Sequence, residues 1–165
     1  MVGRLQGIVA ARLFLWGRPG SCYSQAQAAS AEREIVSSLE LRMIAYTTVG
    51  TNDLPKAIAF YKDLFEGVLG AKVFFQGETG IGWGVAPDKP MFAVLKPYDK
   101  NPATVGNGSM VSLACADPEQ VQALHARALE LGGKDEGAPG PREGGYYIAY
   151  FRDLDGNKIA GFCRA

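Results

Sequence analysis

The chain has 165 residues, of which 47% are hydrophobic and 21% charged, and its 17 basic and 17 acidic side chains leave a formal net charge of zero. A chain of this length can bury a core without disulfide or metal staples. Its balanced charge excludes the strong basic field of a general nucleic-acid or anionic-membrane binder. It contains no apolar run near the roughly 20 residues that span a bilayer. We therefore expect one domain with neither nucleic acid nor membrane as a partner.

Residues 1–42 differ in composition from the rest. Before Glu32 they contain three arginines and no acidic residue, with a short apolar patch and a run rich in Ser, Gln and Ala. This composition overlaps with that of an organellar transit peptide. It also fits a flexible leader, or a protein whose functional start is Met43. We expect a cytoplasmic protein, with an organelle reached through residues 1–42 as the alternative, and place the domain at 43–165.

Three cysteines lie far apart in the sequence, at Cys22, Cys115 and Cys163. Their spacing matches neither a zinc site nor a disulfide framework, so a reducing compartment is the default. Cys115 and Cys163 fall in apolar, strand-like runs. We expect these two thiols to behave as small buried hydrophobic groups.

From Met43 onward, short β-like runs alternate with two helices, and the first copy of the pattern contains the first helix. Asn52-Asp53 can cap that helix, and the helical spacing of its apolar residues begins at Leu54. Gly67 and Gly70 are expected to end it. The strand candidates are rich in β-branched and aromatic residues. They cover Ile44–Val49, Lys72–Gln76, Ile81–Ala86 and Met91–Lys96.

A linker rich in Pro, Asn and Gly, residues 97–108, leads into a second copy of the same order. Asp117-Pro118 is a helix start, with a capping acid followed by proline. Leu154–Asn157 contains the Asp-Gly pair that favours a hairpin turn. The segment 137–145, in which four of the first five residues are glycine or proline, predicts a long flexible loop able to act as a lid. The strand candidates are Ser109–Cys115, Lys134–Ala138, Tyr146–Phe151 and Lys158–Cys163.

The two halves superpose at an offset of about 64 residues, estimated from the repeat of strands and helix caps. Asp53 then falls on Asp117, and Tyr46 falls on Met110. The order βαβββ occurs twice. The sequence therefore predicts an α+β fold of two βαβββ modules whose sheets curl around a shared cleft.

Two runs carry a family resemblance. Val49–Tyr61 resembles the opening strand and helix of vicinal-oxygen-chelate proteins, the superfamily of glyoxalases, bleomycin-resistance proteins and dioxygenases. Arg152–Ile159 resembles their last hairpin, usually D-P-D-G-N. The resemblance implies a curled mixed sheet, a cleft in which four side chains hold a divalent metal, and pairing as a homodimer.

The metal-ligand positions depart from the family pattern. His or Gln is usual on the first strand of each module, where this chain has Tyr46 and Met110. Glu is usual on the last strand, where it has Ala160 and, in the first module, Lys96 or Val94. Alanine and methionine do not hold a hard divalent cation, and a protonated lysine repels one. We therefore expect no metal and no other cofactor.

Three further candidates favour structural interpretations. His125 lies at the edge of the second helix's apolar stripe, which indicates packing. The glycine-rich run Gly80–Gly84 lies within a strand candidate and precedes no helix, which argues against a phosphate-binding loop. Asp153 and Asp155 belong to a hairpin turn first and are catalytic candidates second.

The expected ligand site is an aromatic-lined cleft. Large side chains on a concave sheet are core formers by default, but in this architecture the concave face is also the pocket. Cationic side chains, among them Arg142, could attract an anionic ligand there. The candidate ligand-binding residues are Tyr46, Trp83, Phe92, Lys96, Met110, Tyr147 and Arg152.

Three functions remain open. The first is metal-independent binding of a small molecule in the cleft, as in the bleomycin-resistance branch. The second is an enzyme, a lyase or isomerase similar to lactoylglutathione lyase, in which Tyr46 or Lys96 acts as the catalytic acid or base. The third is a non-catalytic structural or interaction domain, which predicts a cleft filled by its own side chains.

Overall fold

The computed structural model describes residues 44–164, and its strands and helices form two βαβββ modules. The expectations for residues 1–42 and Cys22 lie outside this range. None of the helices in 44–164 is long and apolar enough to cross a membrane. The first module comprises β1 (Tyr46–Gly50), α1 (Leu54–Lys62), β2 (Lys72–Gln76), β3 (Gly80–Gly84) and β4 (Met91–Leu95). The second comprises β5 (Val111–Ala114), α2 (Pro118–Glu130), β6 (Lys134–Arg142), β7 (Tyr146–Arg152) and β8 (Lys158–Arg164).

Each module contains one four-stranded mixed sheet. The strand order is β1-β4-β3-β2 in the first sheet and β5-β8-β7-β6 in the second. β1 runs parallel to β4, and β5 runs parallel to β8, while the other pairs are antiparallel. The expected α+β fold of two modules is confirmed. The two sheets do not close into a barrel.

Both predicted helix caps are present. The Asp53 carboxylate accepts a hydrogen bond from the Lys56 amide, and the Asp117 carboxylate accepts one from the Gln120 amide. Such caps satisfy amides that have no partner within the first helical turn. α1 does not stop at Lys62 but continues as a π-helical segment, Asp63–Val68. This continuation carries Leu64 and Phe65 into the core.

The predicted flexible lid is wrong, because most of it is a strand. Residues 134–142 form β6, and only residues 143–145 form the turn into β7. β6 is the edge strand of the second sheet, where prolines that cannot donate to a ladder are tolerated. Its pairing with β7 shifts register on either side of Gly137, so the glycines accommodate bulges rather than a loop.

The two modules meet through their helices. Arg127 on α2 forms a two-pronged ion pair with Asp63 at the end of α1, with N–O distances of 2.6 and 2.8 Å. This pair holds the pKa of Asp63 below its usual value. Gln120 Nε2 donates to the Val68 carbonyl oxygen at 2.8 Å. One core cluster draws buried side chains from both modules, including Leu64, Leu124 and Phe151.

The last hairpin also joins the modules. Asp153 accepts hydrogen bonds from the backbone amides of Asp155 and Asn157, so its role in forming the turn is confirmed. Its other oxygen accepts a 2.6 Å hydrogen bond from the buried Tyr61 hydroxyl in the first module. Burial raises the pKa of Tyr61 well above its ordinary value. Gly156 has a φ of +91°, as the predicted Asp-Gly turn requires.

The two family-like runs contact each other directly. Asp155 Oδ2 accepts a hydrogen bond of 2.6 Å from Thr51 Oγ1, and Asp155 Oδ1 accepts one of 2.9 Å from the Asn52 amide. Asn157 Nδ2 donates to the Gly50 carbonyl oxygen at 3.0 Å. The two runs are far apart in the sequence but form one junction between the modules, in which the last hairpin binds the end of β1.

Cys115 and Cys163 are free thiols, half-buried and buried respectively. Burial raises the pKa of both. They pack with Val121 and Ala149, which confirms the expectation that they act as small apolar groups.

Candidate functional site

Each sheet has two faces with different surroundings. We call the side packed against the module's helix the helix face and the opposite side the open face. In the first sheet, Phe92 and Trp83 are register partners, and their rings pack with those of Tyr61 and Phe65. Their exposed fractions are only 6% and 1%. The helix face of the first sheet therefore carries this aromatic core.

The sequence predicts that Trp83 and Phe92 share a face with Tyr46, and the structure places them on the opposite face. Thr47 is the register partner of Phe92, and side chains alternate along a strand, so Tyr46 lies on the open face. Tyr46 is 61% exposed. Because side chains alternate between the two faces of a strand, only Tyr46 lies on the open face, and Trp83 and Phe92 lie on the helix face.

The glycine-rich strand β3 makes room for aromatic rings on the open face. A Cβ atom at Gly84 would lie 2.6 Å from Phe74 Cε2, and one at Gly82 would lie 2.8 Å from Phe75 Cδ1. Real Cβ atoms do not approach so closely, so a larger residue at either position would have to displace a phenylalanine ring. Gly80–Gly84 is a strand followed by a turn, as expected, and its glycines serve ring packing.

Tyr147 also lies on a helix face. Its register partner is the buried Cys163, and its hydroxyl accepts a 2.9 Å hydrogen bond from Gln122 Nε2 on α2. Like Trp83 and Phe92, it was expected in the concave cleft. The structure places it beside the second helix instead, because its neighbours Tyr146 and Ile148 take the open face.

The two candidate catalytic residues lie far apart. Tyr46 pairs with Met91, and Lys96 follows Leu95 at the other end of β4. Five residues of extended strand separate these ends by roughly 16 Å. Lys96 is exposed and lines an open pocket of about 900 Å³ with Leu95 and Tyr98. The two side chains therefore do not act on one reacting atom together.

Strand register moves one expected metal-ligand position. Ser112 pairs with Ala160 in the second module, and its counterpart Thr48 pairs with Ala93 in the first. The equivalent of Ala160 is therefore Ala93, not Lys96 or Val94, and Val94 is fully buried on the helix face. The number of residues between equivalent positions of the two modules is larger at the last strands than at the first strands, because β6 is longer than β2.

The residues at these positions do not fit a metal. Two alanines have no donor atom, and Tyr46 and Met110 together supply one oxygen and one thioether sulfur. Within residues 44–164, no group of three or more His, Cys, Asp or Glu side chains could hold an ion. His125 is 7% exposed, and its Nε2 lies 2.9 Å from Asp135 Oδ1, so the expected packing role is confirmed.

A largely apolar pocket of about 460 Å³ lies between the first strands of the two modules; we call it the inter-module pocket. Thr47 of β1, Phe92 of β4 and Trp83 of β3 border one side, and the whole of β5, Val111–Ala114, borders the other. Its polar groups are few, namely the Thr47 and Ser112 hydroxyls and the Lys89 ammonium. Trp83 Nε1 is buried without a hydrogen-bond partner among the described residues, so the pocket meets Trp83 through carbon atoms.

Met110 and Arg152 come together in a different pocket, of about 780 Å³, which we call the basic pocket. Lys158 lines it as well, and Glu136 contacts both Arg152 and Lys158. Sequence reasoning found Arg152 and Met110 but missed Lys158 and Glu136. The signal for Lys158 was the two-residue alternation on β7 and β8, which places it opposite Arg152.

Fold and site together define a class of protein, which has two βαβββ modules with packed helices, a pocket between the modules and, within residues 44–164, no metal-ligand set. The family model of the Glyoxalase/Bleomycin resistance protein/Dioxygenase superfamily matches residues 43–160, and the chain belongs to this superfamily.

Solved structures agree with this assignment. A glyoxalase/bleomycin resistance protein from Albidiferax ferrireducens T118 is 37% identical, with a TM-score of 0.68, and the match covers 75% of this chain and 100% of that one. A lactoylglutathione lyase from Agrobacterium tumefaciens is 22% identical, with a TM-score of 0.54 over 72% and 91% of the two chains. At that identity the likeness shows the fold alone. Among curated proteins, none matches this chain.

Proposed function

We propose that this chain binds a small, largely apolar molecule in the inter-module pocket. Binding requires no metal and leaves the molecule chemically unchanged, as in the bleomycin-resistance branch of the superfamily. The carrying observation is the pocket itself, whose volume of about 460 Å³ is lined mostly by carbon. Small-molecule sites typically occupy roughly 300 to 1,000 Å³ and have apolar walls with a few polar groups. Trp83 and Phe92 would contact the ligand from the helix-face side of the first sheet.

The pocket also bears on the alternatives. A purely structural domain was expected to fill its cleft with its own side chains, and the space beside Phe92 and Leu113 argues against that. A lyase or isomerase needs an acid or base near the substrate. Tyr46 and Lys96 border neither wall of the inter-module pocket, so the enzyme alternative has no support from its own candidate residues.

A fragment screen on the full chain, followed by backbone amide NMR, tests the proposal. Hits should shift the signals of Val111–Ala114 and the indole signal that disappears in Trp83→Phe. Ala114→Trp should fill the pocket and abolish the hits. Ala116→Trp is the matched control, since Ala116 is also exposed and lies two residues away outside the lining. Hits that survive Ala114→Trp, or a screen without hits on folded protein, would refute the proposal.

We further propose that the chain forms a homodimer through β2. This edge strand exposes Val73, Phe74 and Phe75 by 38 to 40% each, a run that a monomer would leave against water. Exposed apolar edges favour pairing with another chain. Light scattering should give twice the chain mass, and Phe74→Ser should shift it to one chain mass; an unchanged mass in the variant would exclude this surface.

A further inference from the structure

The open face of the second sheet concentrates positive charge in a chain whose net charge is zero. Arg152 on β7 and Lys158 on β8 are register partners and share one carboxylate. Arg152 Nε lies 2.6 Å from Glu136 Oε1, and Lys158 Nζ lies 3.2 Å from Glu136 Oε2. Both cations therefore form ion pairs with the same carboxylate.

A third cation lies beside them. Arg142 Cζ is 5.8 Å from the centroid of the Tyr150 ring, and Lys158 Nζ is 5.2 Å from the same centroid. Arg142 donates its hydrogen bonds to the Pro141 and Ala138 carbonyl oxygens. It forms no ion pair with any residue in 44–164. The Tyr150 ring therefore contacts both a guanidinium and an ammonium group.

The second acid near this cluster, Asp155, accepts hydrogen bonds from the first module. Asp155 lines the basic pocket, but its two oxygens accept hydrogen bonds from Thr51 Oγ1, the Asn52 amide and Asn52 Nδ2. It therefore serves the junction between the modules, and the ion pairs of Arg152 and Lys158 within the described residues go to Glu136 instead.

Donors remain in the basic pocket after these contacts. Arg152 uses Nε for Glu136 and Nη1 for the Gly156 carbonyl oxygen, and within the described residues its Nη2 has no partner. Lys158 contacts Glu136 and keeps further N–H groups. Both side chains are only 31% exposed, and their ion pairs with Glu136 hold them beside the pocket. Residues 105–110 close the other side of the pocket.

We propose that the basic pocket is a second binding site, which takes an oxyanion group, phosphate or carboxylate, of a small molecule, with Arg152 and Lys158 as its binding residues. It shares no lining residue with the inter-module pocket, so it does not rest on the function proposed above. Glu136 holds the two cations in place and competes with the anion for them.

Titration of the full chain with inorganic phosphate, and separately with acetate, tests this site by amide NMR against sodium chloride at equal ionic strength. The signals of residues 105–110 should shift and saturate, and the tighter of the two probes identifies the oxyanion. Lys158→Gln should weaken binding about tenfold, the loss of one charge-assisted hydrogen bond. Lys158→Arg should restore it. Lys72→Gln removes the same charge from exposed β2 and should change nothing.

The Glu136→Gln variant should change the phosphate affinity in the opposite direction. Removing the competing carboxylate should tighten phosphate binding by up to about fivefold, the scale of an exposed ion pair. A merely structural cluster predicts weaker binding and disordered cations in this variant. Shifts that never saturate, equal losses in Lys158→Gln and Lys72→Gln, or weaker binding by folded Glu136→Gln would each overturn the proposal.

Discussion

The two modules share one order of strands and helix but differ on their open faces. In the first module this face exposes aromatic rings, Tyr46 and the two phenylalanines seated over glycines of β3. In the second it carries Arg152 and Lys158 around Glu136. The helix faces are alike, each packed with apolar side chains into one core. The core and the helix caps therefore maintain the fold, while the open faces are free to acquire different chemistry.

The sharpest test of this contrast compares two aromatic residues of the first sheet. Trp83→Ala should lower the free energy of unfolding by about 4 kcal/mol, the cost of deleting a buried aromatic ring. Tyr46→Ala should lower it by less than about 0.5 kcal/mol, because Tyr46 is on the exposed face. Urea unfolding measures both. Comparable losses would mean that the helix and open faces are assigned the wrong way round.

The junction between the modules predicts the next largest effect. Asp153→Ala removes the acceptor of two turn amides and leaves the Tyr61 hydroxyl buried without a partner, so we expect a loss of about 3 kcal/mol. Tyr61→Phe removes one of these bonds and should cost about 1 kcal/mol. Asp99→Ala, in an exposed turn with bonds only to Asn101, is the control and should hardly change the unfolding midpoint. Equal midpoints for Asp153→Ala and Asp99→Ala would contradict the junction.

Acid should weaken the contacts between modules and within the second one. The pKa of Asp63 is lowered by Arg127, and that of Glu136 is lowered by Arg152 and then Lys158. Unfolded Asp and Glu titrate near 3.9 and 4.3. Because the folded values lie lower, this stabilisation is complete above about pH 5 and is lost as the pH falls through the folded pKa values.

The measurement is urea unfolding of the wild type and Asp63→Asn at several pH values. The variant should be less stable at pH 7, and the difference should shrink toward pH 3. A difference that is constant with pH would show that the Asp63 charge does not stabilise the folded state.

The sequence predicted those parts of the fold that depend on local chemistry. Asp53 and Asp117 were recognisable as caps, and the Asp-Gly turn at Gly156 was recognisable from its need for positive φ. The order of strands followed from the repeat. Each of these features is decided by a few neighbouring residues.

The site was harder to predict, because it depends on which face of a strand is buried. Trp83 and Phe92 were placed on the wrong face, since aromatic residues suit either face and a shift of one residue reverses every side chain. The glycines and prolines in residues 137–145 predict a loop, but those in residues 137–142 suit a bulged edge strand equally well. Lys158 became visible only when register set it opposite Arg152.

The most direct test of the central proposal is a crystal structure of the full chain with the strongest hit of the fragment screen. We expect density for the unaltered molecule between β1 and β5, in contact with Phe92 and Leu113. Density only on the open face around Tyr46, or density for a chemically converted product, would contradict metal-independent binding in the inter-module pocket.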